Sequence, residues 1–280
     1  ICTLTANTTG FCNTAIGYKS LLSNTCANAN TAVGIETLQA NTTGGGSVAM
    51  GYRTGYNNTT AIVTAIGANA LCCNTTGYRN TAVGNGSMRK NSTGGYNAAI
   101  GTKSLYSNTT GSQNTGSGMY AALSNTTGEY NTAHGACALY ANTTGVRNTA
   151  IGRSALVATT TGSCNSAVGF NSLVSNTTGC LNAAVGYVAL YNNTTGHKNT
   201  TTGACSLFEN TTGANNTASG YAAMCANTCG DNNTAVGAYS LRANTTASAN
   251  TAVGREALRS ATTGGQNTGV GMQAAYNITT

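Results

Sequence analysis

The run Asn13-Thr14-Ala15-Ile16-Gly17-Tyr18-Lys19-Ser20-Leu21-Leu22-Ser23-Asn24-Thr25-Cys26-Ala27-Asn28-Ala29 is followed at once by a near-copy that begins Asn30-Thr31-Ala32-Val33-Gly34. The glycine closing each opening pentapeptide recurs at Gly51, Gly67, Gly84, Gly101 and onward to Gly271 in the 280-residue chain. Successive members lie 17 residues apart, except Gly51 and Gly67, which lie 16 apart. The consensus is N-T-A-V-G-x-x-A-L-x-x-N-T-T-G-x-x, and about sixteen copies fill the chain. Self-similarity on this scale marks a repeat architecture. We expect a single array over 1–280, with no stretch left over for a second domain. Both ends fall part-way through a copy and no cap is evident, so the array reads as a segment of a longer one or of a filament.

Numbering the consensus as slots 1 to 17 sorts the residue types. Slot 5 is Gly throughout, slot 3 is Ala or Gly with Thr201 the exception, and slot 8 is Ala, Ser or Thr. Slot 4 is mostly Val or Ile, slot 9 mostly Leu or Met, and slot 12 nearly always Asn. Every charged residue and every Tyr and Phe falls in slots 6, 7, 10, 11, 16 or 17. The variable pairs therefore face outward. The fixed slots are expected to line a thin interior, with the Val/Ile and Leu columns as its bulk, or to form turns.

A 17-residue period is too short for a helix pair. Thr, Val and Asn, with two near-invariant glycines per copy, oppose helix further. The fold class expected is all-β: a β-solenoid of about sixteen coils, each with two short strands. T-A-V supplies one strand, the A-L segment the other, and N-T-T-G a turn. Each coil stacks about 4.8 Å above the last, so every slot becomes a column, and the Asn column can hydrogen-bond up the stack. A single-chain coil and a three-chain prism with a shared interior both satisfy the period.

Composition narrows the function. Charged residues are only 6%, Pro and Trp are absent, and Gly numbers 37. Bulky side chains for a large globular core are missing, and disordered chains are usually richer in charge and Pro. No apolar run approaches the ~20 residues of a membrane span.

The repeat N-T-A-V-G-x-x-A-L-x-x-N-T-T-G resembles the tandem repeats of phage and large-virus tail-fibre-like proteins and of bacterial surface fibre proteins. Its Asn-Thr-Ala-Ile-Gly part is similar to the head repeat of trimeric autotransporter adhesins. The first resemblance covers the whole chain, the second about a third of each coil. The first implies an extracellular fibre or adhesin shaft, often trimeric. Gly55 at the Leu slot and Ser117, His134 and Thr202 at the Val slot depart from the pattern.

The sequon N-x-[ST] recurs in slot 12, at Asn7, Asn41, Asn74, Asn108 and Asn125 among others. Such Asn residues either carry N-linked glycan or form an inward, turn-capping ladder. Sequons outside that slot, at Asn57, Asn85, Asn192, Asn199, Asn215 and Asn232, escape the ladder reading and are the better acceptors. Eleven Cys residues are an odd number for a framework of paired bridges. Cys164 and Cys180, in neighbouring slots of adjacent coils, are the candidate disulfide. Tyr18, Tyr52, Tyr56, Tyr106, Tyr140, Tyr187 and Tyr191, in slots 6 and 10, are candidate surface-contact aromatics.

Catalysis has little material. Two His and five acidic residues are scattered over different coils, so no acid–base pair or triad converges. One Asp excludes a calcium-binding solenoid with an Asp in every repeat. No catalytic residue, metal site or cofactor is expected. The net charge of +7 is dispersed, which suits an acidic surface polysaccharide better than nucleic acid. The expected function is a structural protein of an extracellular fibre or filament, on a cell or virion surface and glycan-decorated. The alternative is the shaft of an adhesin or tail fibre that attaches to a cell surface or glycan, as a homotrimer. Partners are further copies, end to end or side by side, and covalent or surface glycans. An ice-binding reading is disfavoured because the Thr residues come as N-T-T at a turn rather than as T-x-T on a strand.

Overall fold

The structure is a computed structural model that describes residues 2–279. It comprises two units, Ile1–Thr144 and Gly145–Thr280, each a parallel β-solenoid built from the same coil. In the first unit the strands are β1 (Thr14–Ile16), β2 (Thr31–Val33), β3 (Val48–Met50), β4 (Val63–Ile66), β5 (Asn80–Val83), β6 (Ala98–Ile100), β7 (Thr115–Ser117) and β8 (Thr132–His134). In the second they are β9 (Thr149–Ile151), β10 (Ser166–Val168), β11 (Ala183–Val185), β12 (Thr200–Thr202), β13 (Thr217–Ser219), β14 (Thr234–Val236), β15 (Thr251–Val253) and β16 (Thr268–Val270). Identical slots face each other: Thr14, Ala15 and Ile16 pair with Thr31, Ala32 and Val33, and Thr234, Ala235 and Val236 with Thr251, Ala252 and Val253. The short copy does not disturb this register, since Ala49 still pairs with Ala65. Arg79 N–H reaches Ile62 O at 2.8 Å just as Ala29 N–H reaches Phe11 O at 3.0 Å, so Ile62 fills slot 16 and the deleted residue is slot 17.

The strand expected on the A-L side is a run of turns instead. Slots 7 and 9 are left-handed, for example Lys19 (φ 55°) and Leu21 (φ 49°), then Glu36 (φ 56°) and Leu38 (φ 49°). A non-glycine residue in this region costs roughly 1–2 kcal/mol. At slot 9 the cost is offset because the conformation turns Leu wholly inward, with Leu21, Leu38, Leu105 and Leu190 at 0% exposure, worth about 1.5–3 kcal/mol each. It also aims the Leu21 amide at Thr37 O of the next coil, 3.0 Å away. Gly55 interrupts this column, and a Cβ placed there would lie 2.9 Å from Leu38 Cδ2, so Leu38 closes the gap.

Slot 5 needs glycine for two reasons. Gly101 has φ +128°, and a Cβ on it would sit 2.6 Å from Gly118 O of the next coil. Neither a side chain nor its backbone geometry is tolerated there.

The interior is thin and half polar. Ala at slot 3, Leu at slot 9 and the small residues of slot 8 pack with two columns of fully buried Asn. In slot 12, Asn108 Nδ2 donates to Asn91 Oδ1 (2.8 Å) and to Gly111 O (2.8 Å), and the pattern repeats coil after coil. In slot 1, Asn97 Oδ1 accepts the Asn114 amide (2.9 Å) while its Nδ2 donates to the same Gly111 O (2.9 Å). Each buried amide thus answers the backbone of a turn that would otherwise be left dry and unpaired. The slot 12 Asn is therefore the inward ladder. Thr201, the exception in slot 3, is also buried, and its hydroxyl donates to that of Ser206.

One column lies opposite to expectation. Slot 4 faces solvent: Ile16 is 59% exposed, Ile100 53% and Val270 68%. The pleat alternates side chains across a strand, so with slot 3 inward slot 4 must point out. Ser117, His134 and Thr202 are accordingly ordinary surface substitutions, the last two exposed and the first half-buried.

Candidate functional site

The strand face of each unit is an uncharged apolar surface. Ile16, Met50, Ile66 and Ile100 are exposed in the first unit, and Ile151, Val185, Val236, Val253 and Val270 in the second. Slot 2, mostly Thr, flanks this column on the same face, and no Lys, Arg, Asp or Glu occurs in either slot. Hydroxyls and methyls therefore form regular rows on a strand.

A second surface is formed by slots 6, 7 and 10 on the turn side. Aromatic rings and cations interleave there. Arg53 lies over both Tyr52 and Tyr56, 5.3 Å from each centroid. Lys19 lies 5.1 Å from Tyr18, and Lys103 lies 5.8 Å from both Tyr106 and Tyr120. Phe170 and Tyr187 stack at 5.6 Å, and Tyr191 and Phe208 at 5.0 Å. All seven Tyr residues singled out from the sequence lie at the surface, Tyr18, Tyr52, Tyr140 and Tyr187 exposed and Tyr56, Tyr106 and Tyr191 half-buried. Arg53 also donates to Glu36 Oε2 at 2.6 Å, which raises the already high pKa of its guanidinium.

The sequons divide sharply. Asn41, Asn74, Asn108, Asn125 and Asn199 are fully buried. Their Nδ2 groups are spent on the interior, as Asn199 shows by donating to Gly213 O at 2.8 Å. Asn7 is half-buried and joins the same ladder through Asn24 Nδ2, 2.8 Å from its Oδ1. A glycan on any of these nitrogens is incompatible with the folded coil. Asn57, Asn85, Asn215 and Asn232 are exposed, and half-buried Asn192 donates to Glu209 Oε2 at 2.7 Å.

Cys164 and Cys180 are free, as are the other cysteines. Slot 16 stacks on slot 16 and slot 17 on slot 17: the Leu181 amide reaches Ser163 O at 3.1 Å, and the Cys164 amide reaches Val146 O at 2.9 Å. The two thiols are diagonal neighbours rather than facing partners. Burial pushes the Cys72 and Cys225 thiols up, which keeps them protonated at neutral pH. Among the described residues no three His, Cys, Asp or Glu side chains come together, and no helix is long and apolar enough to cross a membrane.

The column that sequence reading passed over is slot 10 in the second unit, where Arg242 and Arg259 follow one another at the repeat spacing. Arg242 lies over Tyr239 at 5.4 Å, and Arg259 lies over Tyr239 at 5.8 Å and Tyr276 at 5.5 Å. The 17-residue interval between two like charges was the available signal.

The fold defines a class, the β-solenoid of 17-residue coils. No known protein family matches the chain. No curated protein matches it either.

Proposed function

We propose that the chain is a non-catalytic structural protein of an extracellular fibre or filament whose copies associate side by side through the strand face. The observation that carries this reading is the exposed, uncharged Val/Ile column. In the second unit five slot 4 side chains, Ile151, Val185, Val236, Val253 and Val270, each leave about a third or more of their surface in water. Burying the exposed part of each contributes about 1 kcal/mol, on both partners. Together these are of the size needed against the ~4–15 kcal/mol lost on association. Exposed apolar surface of this kind marks interaction sites. Coil-to-coil satisfaction of the backbone also supports a structural role, because nearest-neighbour contacts allow a repeat array to be lengthened without redesign. The exposed sequons at Asn57, Asn85, Asn215 and Asn232 are the places where glycan decoration fits this reading.

Sedimentation equilibrium tests it. The chain is expected to show a mass of several copies at micromolar concentration, and Ile100→Lys/Val185→Lys to reduce it to one copy with an unchanged circular dichroism spectrum. A three-chain mass would favour the adhesin or tail-fibre shaft. A wild-type chain that stays monomeric overturns lateral association; thermal hysteresis by that monomer would reassign the face to ice.

A further inference from the structure

The second unit carries a trough of about 440 Å³ on its turn side. Its floor is the slot 11 column Ala226, Ala243 and Ser260, and its wall the slot 10 column Arg242, Arg259 and Tyr276. The wall is held by the stacking itself, since the Ala226 amide donates to Arg242 O (3.1 Å) and the Ala243 amide to Arg259 O (3.0 Å). The Arg242 and Arg259 backbones therefore recur at one coil spacing, about 4.8 Å, and both side chains lie over the Tyr239 ring, 5.4 and 5.8 Å from its centroid. Arg259 is oriented by Tyr276, whose Oη accepts from its Nη1 at 2.6 Å.

The charge balance is uneven. Glu256 is shared: Arg255 Nη2 and Arg259 Nη1 each lie 3.6 Å from its Oε1, and Gln273 Nε2 donates to its Oε2 at 2.8 Å. Glu209 stands in slot 11 one coil before Ala226, where its Oε2 accepts from Asn192 Nδ2 at 2.7 Å. Arg242 is exposed, and among the described residues it has no acidic partner. Two arginines thus line an open trough, and among the described residues one of them has no ion pair. Two like charges stacked a coil apart repel, and an anion lying along both relieves that repulsion.

We propose that this trough binds an acidic polysaccharide laid along the stacking direction of the second unit. Its carboxylates or sulfates meet Arg242 and Arg259, which stand on one wall of the trough. Small slot 11 residues leave room for the sugar rings. This site is independent of the strand-face association, which uses slots 2 and 4.

The test measures binding of the full chain to polygalacturonate, dextran sulfate, a single-stranded DNA oligomer and inorganic phosphate. Polygalacturonate or dextran sulfate, or both, is expected to bind, and whichever does reports carboxylate or sulfate as the anion. Binding should weaken as salt rises. Arg242→Gln/Arg259→Gln should lose about tenfold or more in affinity, equivalent to about 1.4 kcal/mol. Arg79→Gln/Lys198→Gln, which removes the same charge from slot 17, should lose less than about threefold. Arg242→Lys/Arg259→Lys should fall between them, because it keeps charge but loses the planar fork. Circular dichroism and the unfolding midpoint should stay unchanged in all three. Equal losses for the two glutamine pairs, DNA or phosphate binding as tight as the polysaccharide, or no polysaccharide binding would each overturn the proposal.

Discussion

Slot 4 and slot 12 are both columns of the repeat, with opposite fates. Val and Ile stand in water in slot 4, whereas Asn is sealed inside in slot 12. In a larger protein the assignment would be reversed. Here the coil is so narrow that its interior is set by what the backbone needs. The tight turns leave carbonyls pointing inward, and only a side chain with both a donor and an acceptor can serve the turn and the next coil together. Asn does so; Val cannot. The apolar residues of slot 4 are then available for association.

The largest effect should come from breaking the interior column. Asn108→Ala removes two bonds donated by Asn108 and the 2.7 Å bond it accepts from Asn125, leaving buried amide groups unpaired. We expect a loss of about 3–5 kcal/mol, read as a lowered urea midpoint. Ile100→Ser in the exposed column should cost under about 1 kcal/mol in the monomer. Equal costs would break the comparison.

A gain is expected where the ladder is already broken. Ala261 stands in slot 12, and Asn244 Oδ1 in the preceding coil is buried without a partner. Ala261→Asn supplies the missing donor and should stabilise the second unit by about 1–2 kcal/mol, seen as a raised midpoint. No gain would mean that the adjoining coil cannot accept the amide.

The smallest effect belongs to the outer slots. Cys164→Ala/Cys180→Ala should change stability by no more than about 0.5 kcal/mol, with or without reductant. All eleven thiols should titrate in denaturant. A reductant-sensitive midpoint that the double variant abolishes would restore the disulfide.

Much of this is legible in the sequence. The period, the Gly101-type column, the inward Leu and the outward Tyr follow from which slots vary and which do not. Slot 4 is misleading because hydrophobicity is the usual sign of burial. The contrary signal lay in tolerance: slot 3 accepts almost only Ala or Gly, while slot 4 admits Ser117, His134 and Thr202. Asn199 misled for a related reason. Its sequon lies outside slot 12, yet slot 1 is a second buried ladder that accepts backbone amides rather than side-chain ones. The trough was invisible because it depends on which turn residues lie beside one another. Slots 10 and 11 become wall and floor only once the A-L segment adopts left-handed turns.

By itself, the sequence determined that equivalent residues would stack at a 17-residue interval, because in-register repetition is the arrangement that lets each copy satisfy the next. Only the tertiary structure decided the two faces of that stack. Strand pleat and turn handedness are set by contacts between coils, and they alone direct Val to water, Asn to the interior and paired arginines to one side of a trough.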